Sequence, residues 1–177
     1  MFYKAAWRHD LSALVGCGLA DRREYTESQK YGLAQREATP SPLVTHTIIG
    51  PARDYALSLL PTSLLALETP QVMQLSMDAV DAPNPSLTAH VDYNRRCALN
   101  AYIQTNGETN HFYRWDRQAK ELIPVGEFVA SDGEWWLLDT SIPHSVALKP
   151  KHKRVVVSYS FEKTPFDKVE RAIKECL

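Results

Sequence analysis

Cysteine is scarce in this chain. Three of 177 residues, Cys17, Cys97 and Cys176, are too few and too scattered for a disulfide framework. A reducing cytoplasm is therefore the expected compartment. Long apolar runs are missing, so no stretch of sequence reads as a membrane-spanning helix. The opening residues, Met-Phe-Tyr-Lys-Ala-Ala-Trp-Arg-His-Asp, lack the basic-then-apolar order of a signal peptide. Charge of one sign is missing too. A net charge of −1 leaves no electrostatic footprint for nucleic acid or an anionic membrane. The one basic cluster, residues 149–154, reads as a solvated turn between strands. No glycine-rich phosphate loop, His-Glu-x-x-His helix or nucleophile elbow occurs. Phosphate cradling, zinc-protease chemistry and serine hydrolysis are therefore unsupported.

What is present is organised as one domain, residues 1–177, in three regions. Residues 1–70 read as a helical-leaning support region. Within it, residues 22–36 are polar and suit an exposed helix or an irregular arm. Residues 51–67 suit a helix opened by Pro51 and ended or kinked at Pro61. From residue 71 the pattern changes to short alternating or β-branched segments. These are roughly 71–80, 88–93, 96–104, 110–115, 122–129, 134–139, 144–148 and 154–161. Pro83-Asn84-Pro85, Asn106-Gly107, Asp132-Gly133 and Lys149-Pro150 supply turn chemistry between them. Residues 162–177 suit a short closing helix, with Phe166, Val169 and Ile173 at helical spacing. The predicted class is mainly β with supporting helices, a sandwich or jelly-roll barrel whose mouth holds a ligand.

His90-Val91-Asp92 heads one of the strand segments. With six histidines and ten aspartates in the chain, chance supplies a His-x-Asp about one time in three, so the triplet alone is weak. A local pair capping the preceding turn competes with a metal site. Context favours the metal. His144 opens a later strand after a turn, and Arg154 opens the next. Two imidazoles and one carboxylate suit non-haem Fe(II) with open positions. A buried arginine suits a small dicarboxylic co-substrate, because its fork grips a carboxylate through two parallel bonds. Strand parity puts His90 and Asp92 on one face. It also groups Arg154, Val156, Ser158 and Ser160, which selects Arg154 over Lys153 as the interior cation. On the strand after the triplet, Ala98, Asn100, Tyr102 and Gln104 share a face. Arg95 and Arg96 read as surface ion-pair partners, with a substrate carboxylate as the sharper alternative. Trp135 and Trp136 fall on opposite faces of their strand.

These residues resemble the Fe(II)- and 2-oxoglutarate-dependent dioxygenases. The family pattern is His-x-Asp, a distal His and a basic residue shortly beyond it. Here these match His90-Val91-Asp92, His144 and Arg154. The stretch Gly133-Glu134-Trp135-Trp136-Leu137-Leu138-Asp139-Thr140-Ser141-Ile142-Pro143-His144 is similar to the approach to the distal histidine in two branches, the prolyl-hydroxylase-like and the aspartyl/asparaginyl-hydroxylase-like. The second usually lacks the metal carboxylate, so Asp92 sets this chain apart from it. The likeness covers roughly residues 71–161 and implies a double-stranded β-helix of about eight core strands. It implies Fe(II) on His90, Asp92 and His144, with 2-oxoglutarate and O2 as co-substrates. Arg154 would hold the distal carboxylate of 2-oxoglutarate, with Tyr102, Asn100 and Ser158 as further contacts. The implied reaction is hydroxylation of a C–H bond in an amino acid, protein side chain or small metabolite, yielding succinate and CO2. Asp92 argues against halogenation, which usually needs a small residue there. The expected partner is a small molecule or a protein side chain rather than nucleic acid or membrane. The alternatives are a non-catalytic or zinc-bearing jelly-roll binding module and a cupin-like isomerase.

Overall fold

The computed structural model describes residues 1–7, 9–27, 39–78, 87–148 and 153–176. In chain order the elements are β1 (Phe2–Ala5), β2 (Leu19–Glu27), β3 (Thr39–Ile48), α1 (Gly50–Ser58), α2 (Thr62–Leu67), β4 (Gln71–Asp78) and β5 (Leu87–His90). There follow β6 (Cys97–Gln104), β7 (Thr109–Asp116), β8 (Glu121–Val129), β9 (Trp135–Asp139), β10 (His144–Ala147), β11 (Lys153–Phe161) and α3 (Phe166–Lys174). Two antiparallel sheets face each other. The larger runs β1-β9-β6-β11-β4-β3-β2 and the smaller β5-β10-β7-β8.

All eight strand segments expected from residue 71 onward are strands, within a few residues at their ends. Pro61 separates α1 from α2, and the closing helix forms as α3. The helical-leaning reading of residues 1–70 is corrected. Three strands, β1, β2 and β3, come from that region and widen the large sheet to seven. Residues 22–27, expected as a helix or an arm, belong to β2. Residues 28–38, the Pro83-Asn84-Pro85 and Lys149-Pro150 turns, and residues 149–152 of the basic cluster lie outside the described residues.

Alternation on β6 and β11 divides the molecule into two cores. Cys97, Leu99, Ala101, Val157, Tyr159 and Phe161 face outward and pack with Ala56, Leu64, Val169 and Ile173 of the helices. Tyr102 and Val156 face inward and pack with Leu138, Met73, Leu75, Phe112 and Phe128 between the sheets. The strands in the middle of the large sheet are thus buried on both faces, which is why β6 reads as a nearly continuous apolar run. Trp135 lies in the helix-side core, while Trp136 packs against the interior cluster. Pro124 sits on β8, an edge strand of the small sheet, where a missing N–H costs no ladder bond. Between the sheets Phe128 stacks on Trp136 at 4.0 Å between centroids, and Phe2 tilts against Phe112 and Phe128. Such pairs add about 0.5–1.5 kcal/mol each beyond their buried area.

Candidate metal centre

The small sheet brings the two histidines together. In the ladder His144 lies opposite His90 on one side and opposite Phe112 on the other. Along β10, His144 and Val146 are the buried positions. The ring centroids of His90 and His144 are 4.4 Å apart. His144 Nδ1 lies 3.0 Å from the Ile142 carbonyl. Donation there puts the proton on Nδ1 and leaves the Nε2 lone pair for a ligand. Phe112 stacks beside the imidazole at 6.1 Å and restricts its rotation.

Asp92 completes the triad by another route. β5 ends at His90, so strand parity does not itself place Asp92. Its backbone N–H donates to the Thr140 carbonyl at 3.1 Å, which ties the loop to the end of β9. One carboxylate oxygen lies 3.5 Å from His90 Nε2, and the other 4.0 Å from His144 Nε2. One ligand atom from each of the three residues lies within 4.8 Å of the others. Donors about 2.1 Å from a shared ion and at right angles stand roughly 3 Å apart. Small side-chain rotations would therefore close the triad on an ion. The donor set fits a divalent transition metal on one face, leaving the remaining positions open.

Arg95 takes a place that the surface ion-pair reading missed. Arg95 and Asp92 are only 15% and 13% exposed. Arg95 Nε donates to Asp92 Oδ2 at 2.5 Å, and its Nη1 donates to Ser158 and Ser160 at 3.2 and 3.1 Å. Burial would raise the Asp92 carboxyl. The Arg95 guanidinium, the His90 bond and both imidazoles outweigh it and hold the group far below its usual value. Burial, reinforced by neighbouring His90, pushes His144 down to about 4. Asp92 is thus a carboxylate and His144 a neutral imidazole at neutral pH, the forms that bind metal.

A polar stripe runs inward from this triad along the facing strands. Ser158 lies opposite Asn100 in the ladder, and Val156 opposite Tyr102. Asn100 is buried, and its Oδ1 has no hydrogen-bond partner among the described residues. Arg154 stands at the far end, 5% exposed. Its Nη2 donates to Asn110 Oδ1 at 3.1 Å and to the Tyr102 hydroxyl at 3.3 Å, and the guanidinium sits over the Tyr102 ring. Burial raises the Tyr102 phenol, which stays protonated. Ser158, expected beside Arg154, is bonded to Arg95 instead. The structure thus gathers His90, Asp92 and His144 at one end of the stripe and Tyr102 and Arg154 at the other, with Asn100 and Ser158 between. Sequence reasoning missed Glu108 and Asn110, which complete the Arg154 end. Asn110 shares the inward phase of β7 with Phe112, a signal that was available.

No family model matches the sequence, and no curated protein matches it. Among solved structures the chain is similar to an oxidoreductase of the 2OG-Fe(II) oxygenase family from Burkholderia pseudomallei. The TM-score is 0.56 at 11% identity, over 88% of this chain and 78% of that one. YcfD, a ribosomal oxygenase from Escherichia coli, gives 0.46 at 8% identity, over 91% of this chain and 44% of that one. The fold is a double-stranded β-helix. At such identities the likeness is one of fold, and any activity has to be argued from the site.

Proposed function

We propose that the chain is an Fe(II)- and 2-oxoglutarate-dependent oxygenase that hydroxylates a C–H bond. The observation that carries this reading is the convergence of His90, Asp92 and His144 at one end of a buried polar stripe that ends on Arg154. With iron, 2-oxoglutarate and O2 bound, the chemistry supplied is oxidative decarboxylation to succinate and CO2, with the second oxygen atom entering the substrate C–H bond.

The chain's own residues do the binding and positioning. His90, Asp92 and His144 hold the ion. Arg95 fixes the Asp92 carboxylate through a charge-assisted bond. Arg154, Tyr102 and Asn110 receive the distal carboxylate, with the Asn110 Nδ2 as a donor still without a partner among the described residues, and buried Asn100 lines the way between the two ends. Phe112, Leu138 and Val156 keep water from the interior. Tyr93, 74% exposed and next to Asp92, offers an aromatic rim to an incoming side chain. A hydroxylated protein residue is the favoured substrate, ahead of a free amino acid or metabolite, in a cytoplasmic setting. None of the described helices is long and apolar enough to cross a membrane.

The test is anaerobic addition of Fe(II) and 2-oxoglutarate. The expected result is a weak visible metal-to-ligand charge-transfer band that His144→Ala abolishes. No band in the wild type refutes the reading in favour of a binding module. Mass spectrometry of cell extract incubated with the loaded protein then seeks the substrate, as a gain of one oxygen.

A further inference from the structure

The Arg154 end of the stripe already contains a carboxylate. Glu108 is 1% exposed, and its Oε1 lies 3.1 Å from Arg154 Nε. The two atoms are close enough to attract but poorly aligned, and neither completes a hydrogen bond among the described residues. Asn110 Nδ2 is likewise buried without a partner. A buried ion pair with unfilled donors and acceptors does not fully recover the hydration it has lost. The arrangement is nonetheless held firmly. Glu108 Oε2 accepts the Asn106 N–H at 2.8 Å. The Asn106 side chain donates to the Lys153 carbonyl at 2.8 Å, which pins the turn to the start of β11 beside Arg154. Gly107, at φ +70°, lets that turn close.

We propose that Glu108 is an internal competitor for the carboxylate site on Arg154 and sets how tightly a dianionic co-substrate binds. The proposal rests on the assignment of Arg154 as receiver of the distal carboxylate of 2-oxoglutarate. Two carboxylates then share one guanidinium in a water-poor interior. Like charges so placed repel, and each weakens the other's hold. The incoming group finds Nη1, whose one contact is the weak acceptor Met77 Sδ at 3.5 Å, and the unpartnered Asn110 Nδ2, but it also meets the field of Glu108. A 2-oxo acid without a distal carboxylate meets no such penalty.

Calorimetry on the Mn(II)-loaded full chain separates these contributions without turnover. Glu108→Gln keeps the shape and removes the charge. It is expected to tighten 2-oxoglutarate binding by about tenfold to a hundredfold, while 2-oxopentanoate, which lacks the distal carboxylate, binds as it does to the wild type. If 2-oxoglutarate binds both proteins and the variant is no tighter, Glu108 is not a competitor. If neither protein binds 2-oxoglutarate, the co-substrate assignment fails and takes this proposal with it. Should Glu108→Gln fail to fold, Glu108→Asp retracts the charge by one methylene. It is expected to tighten 2-oxoglutarate by a smaller factor, and unchanged or weaker binding overturns the proposal.

Discussion

Arg95 is the residue on which the Asp92 carboxylate of the candidate metal centre depends, and removing it has a calculable cost. Arg95→Ala takes away the bond to Asp92 Oδ2 and two bonds to Ser158 and Ser160. The Asp92 carboxylate then stays largely buried with only the two imidazoles nearby. Breaking a buried pair on one side costs about 3–5 kcal/mol. The pair here retains some exposure, so about 3 kcal/mol is expected, or roughly 10 °C in melting temperature for a chain of this size. Metal affinity feels two opposed effects. Losing a neighbouring cation favours a divalent ion, whereas losing the grip on Asp92 leaves the carboxylate free to turn away. Losing the partner that orients a metal ligand typically lowers affinity about tenfold to a hundredfold, so the second effect should win. Arg95→Lys keeps the charge without the fork and should fall between. Denaturant unfolding of the metal-free protein and calorimetric Mn(II) titration measure the two quantities. An Arg95→Ala protein as stable as wild type, or one binding Mn(II) equally well, refutes the reasoning.

Acid should destabilise the fold in a defined window. His144 stands at about 4 folded against 6.5 unfolded, so the unfolded chain binds the extra proton between those values. Stability is therefore full above pH 6.5 and falls by up to about 3 kcal/mol toward pH 4. Below that the lowered Asp92 carboxyl adds a further loss. Urea unfolding across this range should show the slope, and His144→Phe should flatten it. At the other end, Arg154→Met or Glu108→Met alone should cost about 3–5 kcal/mol, whereas the double variant should approach wild-type stability; additive losses would contradict the pairing. Mn(II) and 2-oxoglutarate should bind synergistically, each tightening the other in calorimetry by the same factor, and independent binding would count against their sharing one site. Phe112→Ala should cost about 3–5 kcal/mol by cavity formation and weaken metal binding by freeing the His144 ring, which comparing melting with Mn(II) titration checks.

The later part of the fold was legible because its signals are local. Each strand from β4 onward carries alternation or β-branched residues, with turn residues at most of its breaks. The first strands were not legible for a physical reason. β2 reads Leu-Ala-Asp-Arg-Arg-Glu-Tyr-Thr-Glu, and β3 contains Pro40 and Pro42. Charge and proline are marks of the margin of a sheet, where few ladder bonds are at stake, and β2 and β3 close one side of the large sheet. Their strand character comes from pairing with β4 and with each other, a tertiary effect that no window of sequence contains. At the site, the phase of β11 correctly sent Arg154 inward with Ser158 and Ser160, since period-two alternation survives in a buried strand. Asp92 lies past the end of β5, and a loop hydrogen bond to Thr140 orients it. Glu108 follows an Asn-Gly turn, where an acidic residue ordinarily faces water. Its burial is decided by Arg154, far along the chain.

The two arginine–carboxylate pairs give the interior a charge balance that bears on how ligands would bind along the stripe. Asp92 with Arg95, and Glu108 with Arg154, each sum to zero, so the ligand-free stripe buries four charges but no net charge. Were either arginine alone, the interior would carry an uncompensated charge at a cost of several kcal/mol. Under the proposed function, a divalent ion would add two positive charges at one end, and a 2-oxo diacid would add two negative charges along the stripe. Loaded with both, the interior is neutral again; loaded with one, it is not. Electrostatics in a water-poor interior would thus favour the empty and the fully loaded states over either half-loaded one. The same reasoning explains why a carboxylate belongs beside Arg154 at all. Without Glu108 the guanidinium would wait unpaired in the dry interior, and the ligand-free protein would bear the full penalty of that buried charge.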